Sequence, residues 1–152
     1  MTCDEKNRLS GPDFSEALYS LIRRTACDLP EDVEQALKRA CDHEAPNSTA
    51  QKVLSLFLEN VGLARKKQIP LCQDTGLPLF FIRHPSGLSR QTIEKACADA
   101  VARATREQFL RPNAVDPVTA RNSGNCVGAG IPGVYCEEGD SEALSVALML
   151  KG

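Results

Sequence analysis

The order of the apolar periodicities constrains this chain most. Three segments with helical spacing precede the first strand pattern, which starts at Pro78. Phe14, Ala17, Leu18, Leu21 and Ile22 fall at i, i+3, i+4, i+7 and i+8, one face of a helix opening near Asp13. Asp13 followed three residues later by Glu16 has the form of a capping box. Leu29-Pro30 ends this segment, and Pro30 suits the first turn of a second helix with Val33, Leu37, Ala40 and Cys41 on its inner face. After the break Ala45-Pro46-Asn47-Ser48, a third helix runs from about Thr49 to Lys66. Its Val53, Leu54, Leu56, Phe57, Leu58 and Val61 predict a well-buried surface.

The remainder is mixed. Pro78–Arg83 reads as a strand, His84-Pro85-Ser86-Gly87 as a turn, and Arg90 to Phe109 as a fourth helix capped by Ser89. Ile93, Ala96, Cys97, Ala100, Val101 and Ala104 point inward from it. Residues 110–133, rich in Pro, Gly and Asn, predict an ordered irregular loop, and two strands follow at 134–138 and 143–150. The expected class is α+β: N-terminal helices packed on a small mixed or antiparallel sheet, after a flexible arm over residues 1–12. The last strand pattern is strongly apolar, with only Lys151-Gly152 after it. It reads either as an interior strand that needs no cover or, the reading preferred here, as a sign that the polypeptide is a fragment or needs another chain, an incomplete domain over 13–152.

Charge and cysteine content narrow the function classes. Eighteen Lys and Arg against twenty Asp and Glu give a net charge of −2, which disfavours nucleic-acid or membrane-surface binding through bulk electrostatics. No apolar run approaches the roughly 20 residues that span a bilayer, and the polar N-terminus lacks the form of a secretory signal, so a cytoplasmic location is expected. Seven cysteines, none in a C-x-x-C pair, leave no zinc-ribbon or thioredoxin pattern. Most are expected as packed apolar thiols. His43, near a helix end, and His84, at a turn, are assigned structural roles.

Chemistry concentrates in Ile69-Pro70-Leu71-Cys72-Gln73-Asp74-Thr75-Gly76-Leu77-Pro78. Thiol, amide, carboxylate and hydroxyl occupy four consecutive positions between prolines. Cys72 suits a metal, Asp74 suits proton transfer or a cation, and Gln73 suits donation to an anionic oxygen. The same run is also an acceptable turn. In Phe109-Leu110-Arg111-Pro112-Asn113, Arg111 is placed stiffly enough to clamp a carboxylate, though a surface ion pair at a helix end would use it equally well. Asn122 and Asn125 are expected to satisfy loop backbone groups, and Cys126 to be a packed thiol.

Together these segments resemble the iron–sulfur hydro-lyases of the class I fumarase and L-tartrate dehydratase family, in the N-terminal part of the alpha region. Pro70-Leu71-Cys72-Gln73-Asp74-Thr75-Gly76 is similar to the family's cluster-binding signature. Leu110-Arg111-Pro112-Asn113, Asp116-Pro117 and Asn122-Ser123-Gly124 resemble its later blocks, in order, and coverage is clearest over 49–152. The resemblance implies a 4Fe–4S cluster held by three cysteines, with an open iron acting as a Lewis acid on a small dicarboxylate. It makes Cys72 one cluster ligand, places Gln73 and Asp74 beside the substrate with Asp74 catalytic, and gives Arg111 a substrate carboxylate. It also implies that two cluster cysteines lie beyond this chain, that the chain alone is inactive, and that a beta region or subunit and oligomerisation complete the enzyme. Two alternatives are a noncatalytic partner-binding domain that retains the fold and, more weakly, a redox-sensing thiol protein.

Overall fold

The computed structural model describes residues 12–72, 74, 76–139 and 143–152, so the expected arm falls almost wholly outside the described residues, as do Gln73 and Thr75. In chain order the described elements are α1 (Pro12–Cys27), α2 (Glu31–His43), α3 (Thr49–Lys67), β1 (Leu77–His84), α4 (Arg90–Arg106), β2 (Gly133–Glu138) and β3 (Ser145–Lys151). The strand order is β2-β1-β3, with β1 parallel to β2 and antiparallel to β3. The fold is therefore α+β with a mixed sheet. None of the described helices is long and apolar enough to cross a membrane.

One face of the sheet is packed. Phe80 and Ile82 of β1 stand in register with Val134 and Cys136 of β2 and with Leu148 and Val146 of β3. The period of two along a strand sends all six to one side, where α1 lies against β3 and α4 against β2. Leu18 and Ile22 of α1, and Ile93, Cys97, Val101 and Ala104 of α4, complete a core in which Ile22, Phe80 and Ile93 are fully excluded from solvent. Small residues at Ala100 and Ala104 let α1 and α4 approach closely, as their spacing predicted.

Three expectations need correction. Pro12 opens α1 and Asp13 sits inside its first turn, where it complements the helix dipole rather than capping. Ser89 occupies the N-cap of α4 but makes no side-chain capping bond, whereas Ser48 does accept from the Gln51 N–H at 3.1 Å. None of α2's residues is buried, and α3 buries only Val61 and Ala64. Leu56 and Phe57 of α3 are 63% and 54% exposed, so that helix's broad apolar surface packs on α2 only in part. β3 lies at one edge of the sheet formed by the described residues.

Candidate active site

The chain enters the Cys72 loop under restraint from both sides. α3 stops at Gln68, whose left-handed backbone (φ 53°) lets the Ile69 N–H reach back to the Ala64 carbonyl at 3.2 Å. Pro70 then prevents the helix from resuming. The Leu71 N–H donates to the Ala26 carbonyl of α1 at 2.8 Å, and Asn60 of α3 donates through Nδ2 to the Leu71 carbonyl at 3.1 Å. Cys72 follows this doubly held residue and is exposed.

At the other end, the loop is docked on β3. Gly76 is buried at φ +66°, and a Cβ there would overlap the Lys151 carbonyl. Only glycine meets both demands. A Cβ on Gly152 would lie 3.3 Å from Asp74 Oδ2, so the end of β3 passes directly beside the Asp74 carboxylate.

The 110–133 segment forms the opposite wall. Leu110 is buried and its N–H bonds to the Ala104 carbonyl, which fixes where the segment leaves α4. The Asn113 N–H closes a tight turn on the Arg111 carbonyl at 2.8 Å. Asn122 Nδ2 donates to the Pro112 carbonyl, its Oδ1 accepts from the Gly124 N–H, and Asn125 Oδ1 accepts from the Val127 N–H. The two asparagines thus satisfy loop backbone groups, as expected. Asp116 Oδ1 accepts from the backbone N–H and hydroxyl of Thr119 and from the Val118 N–H, which holds its carboxyl below the usual range. Cys126 is buried, a packed thiol as expected.

Between the walls lies a cavity of about 210 Å³ lined by Asp74, Gly76, Leu77, Asn113, Ala114, Cys126, Ile131, Lys151 and Gly152. Asp74 therefore reaches a pocket. Cys72 and Arg111 are exposed and do not line it, so the expected trio is not gathered around one cavity by the described residues. Asn113 and Lys151 line it, although neither received a role from the sequence. Asn113 sits within the quoted Arg111 segment, but Lys151 meets Asp74 only through β1–β3 pairing, which leaves no local signal.

No three His, Cys, Asp or Glu side chains converge on a metal position among the described residues. Cys72 is the one exposed thiol in that set; Cys27, Cys97 and Cys126 are buried, and Cys41 and Cys136 are partly covered. Burial raises the Cys27 and Cys136 thiols and pushes Cys97 up to about 12, the protonated and inert condition. The described residues thus offer one exposed thiol and do not by themselves fit a three-cysteine cluster. His84 is buried with Nδ1 3.0 Å from the Pro85 carbonyl, and His43 Nδ1 lies 2.6 Å from the Arg39 carbonyl, both local structural contacts.

A family profile described as fumarate hydratase (Fumerase) matches residues 15–152. The chain belongs to this family. A Geobacillus stearothermophilus protein named as a fumarate hydratase class I is 39% identical over 137 residues, covering 90% of this chain and 27% of the relative. A Methanocaldococcus jannaschii protein named as an L(+)-tartrate dehydratase subunit alpha is 35% identical over 131 residues, covering 84% of this chain and 46% of that one. The L(+)-tartrate dehydratase subunit alpha of Escherichia coli K12 is 34% identical over 125 residues, covering 80% and 40%. This fumarase-family chain therefore spans between about a quarter and a half of the length of these relatives.

Proposed function

We propose that this chain is the N-terminal part of a hydro-lyase alpha region that reversibly adds water to, or removes it from, a small dicarboxylate of the fumarate/malate or tartrate kind. The observation that carries the reading is Asp74, in the Cys72–Gly76 run, lining a small cavity beside a rigidly paired strand end. On this reading Asp74 moves the proton or orients the hydroxyl of the substrate. Gln73 donates to a substrate oxygen, and Arg111 binds a carboxylate with the planar fork suited to it.

Cys72 serves in this proposal as one of three thiolate ligands of a 4Fe–4S cluster. The other two come from the additional length that the relatives have, so this chain alone is inactive. A beta region or subunit and an oligomeric, cytoplasmic enzyme belong to the same reading.

The test uses the polypeptide extended to the length of its relatives and reconstituted anaerobically with iron and sulfide. Broad visible absorbance and hydration activity are expected, and both are lost in Cys72→Ser. Full absorbance and activity in Cys72→Ser would remove Cys72 from the cluster. An extended polypeptide with neither property, and with no further cysteines encoded past codon 152, would favour the partner-binding alternative. Arg111→Ala is expected to raise the Michaelis constant for the dicarboxylate about tenfold or more, the scale of a lost charge-assisted bond; an unchanged constant removes Arg111 from the site.

A further inference from the structure

The Asp74 cavity poses an electrostatic problem that the sequence-derived residues leave open. A dicarboxylate brings two negative charges to a pocket that already holds a carboxylate, and Arg111 does not line it. Like charges held together in a partly enclosed space repel strongly unless a cation is built in. Among the residues lining this cavity the cation is Lys151.

Its position is set by the sheet. Lys151 is the cross-strand partner of Leu77 in the β1–β3 ladder, and directly paired antiparallel residues present their side chains on the same face. Leu77 and Lys151 accordingly line the same cavity. One residue further, the Gly152 backbone runs beside the Asp74 carboxylate, and Gly76 is clamped on the Lys151 carbonyl. Lys151 is exposed, and its backbone is held beside the Asp74 loop by the Leu77 pairing and the Gly76 contact. Asn113 adds an amide from the opposite wall.

We infer that Lys151 is a specificity-determining residue of this site, pairing with one carboxylate of a small dicarboxylate and so selecting dianions over monocarboxylates. This rests on the reading of the cavity as the substrate site. A volume of about 210 Å³ lies below the roughly 300–1,000 Å³ of ordinary drug-sized pockets, which suits a four-carbon acid.

The test titrates the polypeptide extended to the length of its relatives with S-malate and, separately, with S-lactate, which keeps the hydroxy acid and lacks the second carboxylate. Isothermal calorimetry reports binding. The wild-type polypeptide is expected to bind malate more tightly than lactate. Lys151→Met should weaken malate about tenfold, the scale of one lost charge-assisted bond, and leave lactate unchanged, so that selectivity collapses. Lys151→Arg should restore it, and Lys95→Met, on the outer side of α4, should do nothing. Equal losses for both acids in Lys151→Met would mean a structural role and overturn the inference, as would malate binding that the variant leaves intact. Failure of the extended wild-type polypeptide to bind malate at all would instead bring down the substrate-site reading, and Lys151's role with it.

Discussion

The unit made by α1, α4 and the sheet, and the hairpin made by α2 and α3, have similar sequence patterns and opposite fates. Both carry apolar residues at helical spacing. In the first, Ile22, Ile93 and Phe80 are fully buried; in the second, α2 buries nothing and Phe57 of α3 stays more than half exposed. A periodic apolar stripe reports that a face exists and says nothing of what meets it. The sheet repeats the lesson within one element: its other face leaves Phe81 stacked on Tyr135 at 5.1 Å, beside an exposed Met149.

The largest expected effect breaks the comparison directly. Phe80→Ala empties a fully buried position and should cost about 3–5 kcal/mol, enough to unfold a domain of ordinary stability. Phe57→Ala should cost about 0.5 kcal/mol or less, since an exposed site loses little on truncation. Urea unfolding midpoints measure both. Comparable losses would show that the hairpin's face is covered in solution.

The site loop is anchored to both regions, and the two anchors should not weigh equally. Gly76→Ala forces an L-residue into a left-handed backbone, about 1–2 kcal/mol by itself, and adds overlap with the Lys151 carbonyl. We expect a loss of at least about 2 kcal/mol, with the shifts of Asp74 and Asn113 amides displaced. Asn60→Ala removes one exposed bond to the Leu71 carbonyl and should cost about 1 kcal/mol or less. An Asn60 effect as large as that of Gly76 would place the loop's support in the hairpin rather than the sheet.

Most of the fold was legible in the sequence, and the unread parts share a cause. Ile93, Cys97, Ala100, Val101 and Ala104 were read correctly because a helix face is a local property and α4 happens to have a partner. The hairpin was misread because burial is a property of pairs of elements. The Asp74 loop stood out by composition alone, and Asp74 does line a cavity. Lys151 and Asn113 did not stand out, since their proximity to Asp74 depends on strand register and on a loop tied by Asn122 and Ser123. Gly76 could be recognised as a turn residue, but its clash with Lys151 could not.

The smallest expected effect concerns how the hairpin is held to the core unit. Arg65 of α3 bonds Asp28, just past α1, through Nε and Nη2 at 2.6–2.9 Å, and also reaches Glu34 of α2. The Arg65 guanidinium holds the Asp28 carboxyl below its usual range; Lys38, and then Arg65, do the same for Glu34. A carboxylate with a depressed native pKa contributes stability that is complete above its unfolded value of about 4. That contribution fades as pH falls through the lower native value. Acid should therefore loosen this junction and the C-terminal end of α4, where Tyr19 and Arg103 hold the Glu107 carboxyl low, while leaving the buried Ile93 to Val101 stretch of α4 in place. Because Arg65 is solvent-exposed, the whole effect should be small and shrink further in high salt. Arg65→Met should reproduce it at neutral pH. Amide exchange in α2 and α3 is expected to rise between pH 5 and 3, after correction for the intrinsic rate, with β1 and the Ile93 to Val101 stretch of α4 unchanged. Parallel acceleration in that stretch would mean that hairpin and core unfold as one unit, and the distinction between the two regions would be one of exposure only.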